Sequence, residues 1–260
     1  MSVQTGTKRS EGGLGEITRV IVHALIIALV IRTFLFQPFN IPSGSMIPTL
    51  FVGDYLFVSK YSYGYTHYSF PLSPDLFSGR IPGSWLPQRG DVVVFRLPKD
   101  NSIDYIKRVV GLPGDRIQMI GGVLNINGVP VKRESIGDVS IDRDGDTVAA
   151  DGDHVKSYRE TLPNGVSYIA YYSTYPGRPL DDTDVYTVPQ GEYFMMGDNR
   201  DNSTDSRIGV NSGGVGYVPF ENIIGKAQII FFSIGGGAAA WEIWDWPWEV
   251  RWSRLFTLVR

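Results

Sequence analysis

The chain has 260 residues, of which 43% are hydrophobic and 20% are charged, so a packed core is expected and extensive disorder is excluded. A net charge of −3 disfavours a nucleic-acid partner, because such binders normally carry a clear basic excess. There is no cysteine, so disulfides and a thiol nucleophile are excluded. The three histidines (His23, His67 and His154) are not at metal-ligand spacing, so no metal is predicted.

The N-terminal region consists of a polar tail and a long apolar run. Residues 1–13 are polar and contain glycine, which predicts a disordered tail. The apolar run carries Arg19 and Arg32 near its ends, and Pro38 stops any helix. Its length of about 20 residues is the length that a bilayer span needs. We therefore predict a transmembrane signal-anchor helix over residues 14–36.

Two alternatives to an anchor are a buried amphipathic helix and a cleaved signal peptide. No polar stripe interrupts Ala24–Ile31, which argues against the first. No small-x-small site follows in RTFLFQPFN, which argues against the second. Lys8, Arg9 and Arg19 on the N-terminal side outnumber Arg32 on the other side, so the positive-inside rule predicts a cytoplasmic N-terminus and a body on the outer side.

Beyond Pro38 the chain contains short β-branched and aromatic runs bounded by Gly, Pro, Asn and Asp, a pattern typical of strands. The predicted strands are DYLFVSKY, DVVVFRL, DYIKRVVGL, VLNINGVPV, YFMMGD and AQIIFFSI. An Asn-Gly pair at Asn127–Gly128 predicts a tight hairpin, and βαβ alternation is absent. We predict a mainly β fold, with an antiparallel core over residues 37–120 and 190–234 and an inserted β subdomain over residues 121–189.

The last segment, residues 235–260, combines a Gly/Ala joint with five of the six tryptophans. Arg251 and Arg254 are interspersed among the tryptophans, which is typical of a segment at a membrane interface. The alternative is that the tryptophans cover the β body. Five charged residues between Glu242 and Arg254 argue against a second membrane span.

The segment IPSGSMIPTL (Ile41–Leu50) contains two serines on either side of a glycine, shortly after the apolar run. Pro42 and Pro48 restrict the backbone on both sides. Gly44 permits a turn that exposes a hydroxyl beside a free backbone N–H, as a nucleophile requires. Taken alone, this pattern indicates a solvated loop more often than a catalytic serine.

A lysine lies in the otherwise largely apolar strand DYIKRVVGL, where Tyr105, Lys107 and Val109 share one face. Burial in such a setting lowers the pKa of a lysine. To act as a general base near neutral pH, Lys107 needs a pKa about 2–3 units below the ordinary value of roughly 10.4. The alternative is an edge-strand lysine whose ammonium group remains in water.

The segment GDNRDNSTDSR (Gly197–Arg207) follows the strand YFMM and consists entirely of small, polar or charged residues. It has three explanations: a solvated loop, a Ca²⁺ loop, or a buried network in which Asp–Arg pairs make a loop rigid beside a site. The EF-hand spacing and closing glutamate are missing, which disfavours calcium. DRDGD at Asp142–Asp146 is disfavoured as a calcium site on similar grounds.

Together, these segments resemble the motifs of bacterial type I signal peptidases, also called leader peptidases. The similarity includes GDYLFVSKYSYG (Gly53–Gly64) and RGDVVVF (Arg89–Phe95), and the motifs follow one another in order between Phe34 and Ser233. The inserted subdomain and the Trp-rich tail are similar to the family only loosely. The resemblance implies a serine endopeptidase of the bacterial plasma membrane that needs no cofactor. It would remove N-terminal signal peptides from exported preproteins after small-x-small (Ala-x-Ala) sites.

The resemblance also implies a role for individual residues. Ser45 would be the nucleophile and Lys107 its general base, a Ser–Lys dyad without histidine. The Ser43 hydroxyl and the Ser45 backbone N–H would form the oxyanion hole, and Ser203 would orient Lys107. Asp205 and Arg207 would brace the loop as an ion pair. The residues expected to shape the loop are Gly197, Asp198, Asn199 and Asn202. The residues expected to line shallow pockets for the small side chains of the substrate are Ile41, Pro42, Met46, Leu50, Tyr105 and Ile106.

Two other functions remain as alternatives. A Ser–Lys autoprotease of the SOS-repressor type has the same β core, but it predicts a DNA-binding N-terminal domain and an internal Ala-Gly or Cys-Gly scissile bond. The apolar span argues against it. A catalytically inactive, membrane-tethered β module that binds secreted chains predicts the loss of Ser45 or Lys107, and both are present. The expected partners are therefore preprotein signal peptides and the phospholipid membrane.

Overall fold

The computed structural model describes residues 14–70, 73–74, 77–81, 85–142, 152–175, 177–235, 241–242, 244 and 246–260. The predicted polar tail, residues 1–13, lies outside the described residues. So do residues 236–240 of the Gly/Ala joint and residues 143–146 of the segment considered for calcium.

The N-terminal apolar run forms one continuous helical segment. Helix α1 extends over Leu14–Val30 and continues as a π-helical turn over Ile31–Leu35. The 21 residues of Gly15–Leu35 are apolar enough to cross a membrane, and only 6% of the most apolar window is buried. A core helix of a water-soluble body would bury its apolar side chains. The exposure of this helix therefore argues against the alternative of a buried amphipathic helix.

Fifteen strands, one further short α-helix and five 3₁₀ turns are present in the described part of the chain. The strands are β1 (Phe36–Asn40), β2 (Asp54–Ser59), β3 (Val92–Leu97), β4 (Asp100–Gly111), β5 (Arg116–Ile120), β6 (Val123–Ile126), β7 (Val129–Pro130), β8 (Lys132–Ile141), β9 (Asp153–Thr161), β10 (Ser167–Ser173), β11 (Tyr186–Thr187), β12 (Glu192–Met196), β13 (Val218–Pro219), β14 (Ile223–Ser233) and β15 (Thr257–Leu258). Helix α2 extends over Trp246–Glu249. The helical segment ends at Leu35, one residue before the predicted bound of the anchor, and Phe36 pairs with Ser59 of β2.

One large sheet contains the strands in the order β1-β2-β14-β3-β4-β12-β13, and β15 also pairs with β14. Neighbouring strands in this sheet are antiparallel. All six runs predicted as strands lie in strands, which confirms the predicted antiparallel β fold.

The chain between β4 and β12 forms two smaller sheets, in the orders β11-β5-β6-β7 and β10-β9-β8. The hairpin predicted at Asn127–Gly128 connects β6 to β7, and φ is 55° at Asn127 and 80° at Gly128. The inserted subdomain begins earlier than residue 121, because β5 pairs with both β6 and β11 of the smaller sheet.

The inserted subdomain shares its core with the large sheet. Val110 of β4 and Phe194 of β12 pack in the same buried cluster as Leu124 of β6 and Tyr168 of β10. Burial of apolar side chains from both parts stabilises their association. The position of the insertion relative to the loop after β12 is therefore set by a common core.

The turn that contains Ser45 is anchored on one face of the large sheet. Val92 and Val94 of β3 face a buried cluster that includes Met46, whereas Val93 and Phe95 face a second cluster. This alternation is expected for a strand that is covered on both faces. Met46 has no exposed surface, so the residue after Ser45 attaches this turn firmly to the sheet.

The C-terminal segment packs on the large sheet and also exposes tryptophans. β15 pairs with β14, and Arg254 forms an ion pair with the buried Asp54 at 2.5 Å. Trp248 is 81% exposed and Trp244 is 65% exposed, whereas the Trp246 ring lies 5.0 Å from the Phe232 ring, measured between centroids. The segment covers part of the β body through its arginines and β15, while most of its indole rings point outward.

Candidate active site

Ser45 lies on a short 3₁₀ turn, Gly44–Met46, directly after Ser43 in an extended conformation. The loop that follows β12 holds the backbone of this turn. The Asn199 N–H donates to the Ser45 carbonyl at 3.1 Å, and Asn199 Nδ2 donates to the Gly44 carbonyl at 3.1 Å. Because Met46 is anchored in the core on the other side, the position of Ser45 Oγ is well defined.

Lys107 on β4 contacts this hydroxyl. Its Nζ lies 2.7 Å from Ser45 Oγ and 2.9 Å from the Ile106 carbonyl oxygen, and the residue is only 3% exposed. Burial lowers the pKa of Lys107 from 10.5 to about 8, although the carboxylates of Asp205 and Asp198 oppose the shift. About a tenth of such lysines are neutral at pH 7. The site therefore contains a buried lysine with a lowered pKa in contact with a serine hydroxyl.

A second buried lysine, Lys60, demonstrates that a low pKa alone does not identify the base. Burial is the main cause that lowers the pKa of Lys60, also to about 8. Its Nζ donates to the Ser69 carbonyl oxygen, and no hydroxyl in the described part of the chain accepts from it. Of these two lysines, only Lys107 combines a lowered pKa with a serine hydroxyl at hydrogen-bond distance.

Two donors beside Ser45 are available to stabilise an oxyanion. The first N–H groups of a helical turn have no acceptor within that turn, and Ser45 is the second residue of its turn. Ser43 is the N-cap residue, but its side chain forms no capping hydrogen bond and is exposed to solvent. The Ser43 hydroxyl and the Ser45 N–H are therefore available to donate to an oxygen atom beside the Ser45 hydroxyl.

The loop Gly197–Arg207 is stabilised by a buried ion pair. Arg207 Nε and Nη2 donate to the two carboxylate oxygens of Asp205 at 2.9 Å each, and the Gly197 N–H donates to the same carboxylate at 3.0 Å. Burial tends to raise the pKa of Asp205, but Arg207 holds this pKa below its ordinary value. A Cβ at Gly197 would collide with the Ser45 carbonyl. Glycine at this position allows the loop to approach the Ser45 backbone closely.

Ser203 does not make the predicted contact with Lys107. Its Oγ is buried but forms no hydrogen bond with any described residue, although it lies near enough to Asp205 to help lower the pKa of that carboxyl. Lys107 Nζ instead donates to Ser45 Oγ and to the Ile106 carbonyl. The neighbouring backbone carbonyl, rather than the Ser203 hydroxyl, orients the lysine in this structure.

The structure adds two buried arginines that sequence analysis did not single out. Arg108 forms a bidentate ion pair with Asp198, at 2.8 and 2.6 Å. Arg200 forms a second bidentate pair with Glu160 of β9, at 3.1 and 2.7 Å. A charged residue in an apolar strand needs a buried partner, so the position of Arg108 was itself a signal. Glu160 had no such signal, because its partner is remote in sequence.

The predicted pocket residues differ in their accessibility. Pro42 is exposed, and Tyr105 and Ile106 are partly exposed. Met46 and Leu50 have no exposed surface, so neither side chain lines an accessible pocket in this structure. The remaining pocket residue, Ile41, is buried in the same cluster as Met46 and Leu50.

The predicted loop residue Asn202 is exposed, and its N–H donates to the Asn199 carbonyl at 3.1 Å. It therefore closes the turn from which Asn199 donates to the Gly44 and Ser45 carbonyls. Within the described ranges, no group of three His, Cys, Asp or Glu side chains is arranged to hold a metal ion.

The family model described as "Signal peptidase, peptidase S26" matches residues 14–232. Curated relatives named signal peptidase I are similar over most of the chain. The Rickettsia prowazekii protein is 42% identical over an alignment of 248 positions, and the alignment covers 89% of this chain and 89% of its own length. The Rickettsia canadensis protein is 42% identical over an alignment of 273 positions, and the alignment covers 98% of this chain and 97% of its own length.

A solved structure of a signal peptidase I from Enterococcus faecalis has 26% sequence identity to this chain. It covers 54% of this chain and 96% of its own, with a TM-score of 0.29. The family assignment depends on the family model and on the curated relatives.

Proposed function

The chain belongs to the signal peptidase family, peptidase S26, and is a serine endopeptidase that acts on signal peptides; we propose that it cuts after small-x-small sites with Ser45 as nucleophile and Lys107 as general base. The observation that carries this proposal is the 2.7 Å contact between Lys107 Nζ and Ser45 Oγ in a buried setting. The lowered pKa of Lys107, about 8, supports its role as a base.

The proposed reaction has two steps. In the first, neutral Lys107 takes the proton of Ser45 Oγ while the oxygen attacks the scissile carbonyl carbon. The C–N bond then breaks, the amine of the mature chain leaves with the proton that Lys107 returns, and an ester to Ser45 remains. In the second step, Lys107 takes a proton from a water molecule that attacks the ester, and Ser45 recovers its proton as the C–O bond breaks.

The negative charge that develops on the carbonyl oxygen needs donors that are already in position. We assign this role to the Ser43 hydroxyl and the Ser45 backbone N–H. The support is that Ser43 is exposed, makes no capping bond and directly adjoins the nucleophilic turn. Loss of one such donor typically costs about 10²–10³-fold in kcat.

A free strand edge supports the binding of an extended substrate. β12 pairs with β4 only between Arg108 and Gly111, while β3 pairs with the other edge of β4. Within the described residues, the edge of Asp104–Ile106 next to Lys107 has no strand partner. An extended signal-peptide segment would add to this edge through main-chain hydrogen bonds. Small side chains would then face Pro42, Tyr105 and Ile106, which have accessible surface.

We assign the chain to the bacterial plasma membrane, anchored by Gly15–Leu35 with its N-terminus in the cytoplasm and the β body on the outer side. The exposed apolar helix supports the anchor, and the basic residues before it support the orientation. The helix leads directly into β1, and Ser45 follows β1 closely. The nucleophile would therefore act near the membrane, where a preprotein is still held by its signal helix.

Cleavage of matched preproteins tests this function. The purified full chain in detergent should cut a preprotein with an Ala-x-Ala site, and mass spectrometry should place the cut after the last alanine. Replacing that alanine by a large residue should abolish cleavage, because the shallow site cannot accept it. Failure of the wild type to cut, or cutting that ignores this replacement, would contradict the proposed specificity.

A further inference from the structure

A polar cleft lies between the inserted subdomain and the loop that follows β12. Its volume is about 590 Å³, within the range of about 300–1000 Å³ that ligand sites occupy. The insertion contributes His154 of β9 and Thr174, which directly follows β10. The loop contributes Asn199, Asp201 and Asn202.

This cleft adjoins the nucleophile. Ile47, two residues after Ser45, forms part of its wall, as does Asn199. Asn199 donates its two hydrogen bonds to the carbonyls of Gly44 and Ser45. Ile47 also packs against Val155 of the insertion in a buried cluster. The inner end of the cleft is therefore fixed to the turn that holds the nucleophile.

The cleft and the β4 edge lie on different sides of the Ser45 turn. The Ser45 side chain is directed to Lys107 of β4, whereas its carbonyl oxygen is directed to Asn199 in the loop. If the segment before the scissile bond occupies the β4 edge, the segment after it must leave past Ser45 along another path. The cleft begins at Ile47 and Asn199, and so provides that path.

The lining of the cleft suits a polar, extended chain. Asn202 and Arg178 are exposed at the cleft. The Arg178 guanidinium has no carboxylate partner among the described residues, and its one hydrogen bond is a long contact of 3.5 Å to the Asp201 carbonyl. The Asp201 carboxylate accepts the Ser173 N–H at 2.7 Å. Arg178 thus retains donors for the carbonyl groups of a bound main chain.

We propose that this cleft binds the first residues of the mature chain, immediately after the scissile bond, and that it contributes to the recognition of long substrates. The inference rests on the proposed function, because it takes Ser45 as the point of cleavage. It assigns to the inserted subdomain a direct contact with the part of the preprotein that is released.

Two substrates with the same signal-peptide segment test this inference. The short substrate ends in an aminocoumarin amide at the scissile bond, and the long substrate continues with about six mature residues, which extend at most about 20 Å. Thr174→Trp in the full chain fills the cleft from the insertion side. It should lower the ratio of kcat/KM on the long substrate to kcat/KM on the short substrate by about tenfold, mainly through KM. Arg178→Ala should lower the same ratio by a smaller factor.

Ser167→Trp is the matched control, because Ser167 is exposed at the opposite end of β10. This variant should leave the ratio unchanged. An unchanged ratio in both Thr174→Trp and Arg178→Ala would overturn the inference. This includes the case in which kcat/KM falls equally on both substrates, because such a loss indicates damage to the loop. If the wild type cuts neither substrate, the proposed function fails first. If it cuts the short substrate in a Ser45-dependent way and the ratio does not move, only this inference fails.

Discussion

Glu160 of the inserted subdomain and Arg200 of the loop after β12 form a bidentate ion pair in which each side chain is only 1% exposed. The hydroxyls of Tyr168 and Tyr172 donate to the same carboxylate. Burial tends to raise the pKa of Glu160, but the charge of Arg200 holds this pKa below its ordinary value. The neighbour of Arg200 is Asn199, which donates hydrogen bonds to the Gly44 and Ser45 carbonyls. The insertion therefore holds the loop that in turn holds Ser45.

Glu160→Gln should therefore destabilise the protein strongly. Arg200 would remain charged and buried without its partner, and removing one member of a buried pair typically costs about 3–5 kcal/mol. Denaturant unfolding of the full chain in detergent measures this loss. Glu134→Gln is the control, because Glu134 and Lys132 form an exposed pair, and such pairs contribute only about 0–1 kcal/mol. Equal stability of the two variants would contradict the role assigned to the buried pair.

The rate of cleavage should rise with pH through a value near 8. Only neutral Lys107 accepts a proton, and its pKa is about 8, so the neutral fraction increases about tenfold between pH 7 and pH 9. The measurement is kcat/KM on a short fluorogenic substrate across this range. A flat profile, or a rate that falls as pH rises through 8, would exclude Lys107 as the base in the free enzyme.

Lys107→Met should stabilise the fold at neutral pH while it abolishes activity. The pKa of Lys107 in the folded state, about 8, lies below its value of 10.5 in the unfolded chain. Between these two pH values the unfolded chain binds more protons than the folded chain. The stability of the wild type therefore rises with pH in that window. Below pH 8 the full cost of the buried charge remains, up to about 3 kcal/mol for this shift. The advantage of the variant should thus be largest below pH 8 and shrink toward pH 10.5. Denaturant unfolding at both ends of the window tests this. A methionine variant less stable than the wild type at pH 7 would contradict the desolvation argument.

The exposed tryptophans of the C-terminal segment should contact lipid. In vesicles with brominated acyl chains, the fluorescence of the full chain should be partly quenched. Replacing Trp241, Trp244 and Trp248 together by serine should reduce the quenched fraction, because these rings are largely exposed. Trp246→Phe is the control, since its ring packs near Phe232, and it should have a smaller effect. If the triple variant is quenched as much as the wild type, these rings do not enter the interface.

The strand pattern and the site motifs were accessible from the sequence because both are local. Short β-branched and aromatic runs bounded by turn residues predicted the strands, and the Asn127–Gly128 turn is present as predicted. Ser45 and Lys107 are 62 residues apart in the chain, and their contact was inferred only from the resemblance to a family. Nothing in the local sequence of either residue specifies that the two side chains meet.

The parts that sequence reasoning missed depend on distant packing. The Arg200–Glu160 pair joins residues 40 positions apart, and a carboxylate in a strand has no pattern that reveals its partner. The expected Ser203–Lys107 hydrogen bond is absent: Lys107 Nζ donates to Ser45 Oγ and to the Ile106 carbonyl, and Ser203 Oγ has no hydrogen-bond partner among the described residues. Whether two side chains from distant segments meet at hydrogen-bond distance depends on the packed geometry, which spacing along the chain does not encode.

Cleavage by dyad variants tests the central claim most directly. The full chain in detergent would be incubated with an Ala-x-Ala preprotein as wild type, Ser45→Ala, Lys107→Arg and Ser62→Ala. Ser45→Ala removes the attacking hydroxyl, and the arginine of Lys107→Arg stays protonated and cannot act as a base. Both variants should therefore lose about 10³-fold or more in kcat. Ser62→Ala should retain the wild-type rate, because Ser62 Oγ bonds to Ser59 and Gln228 and not to Lys107. Cleavage that persists in Ser45→Ala or in Lys107→Arg would contradict the Ser–Lys dyad.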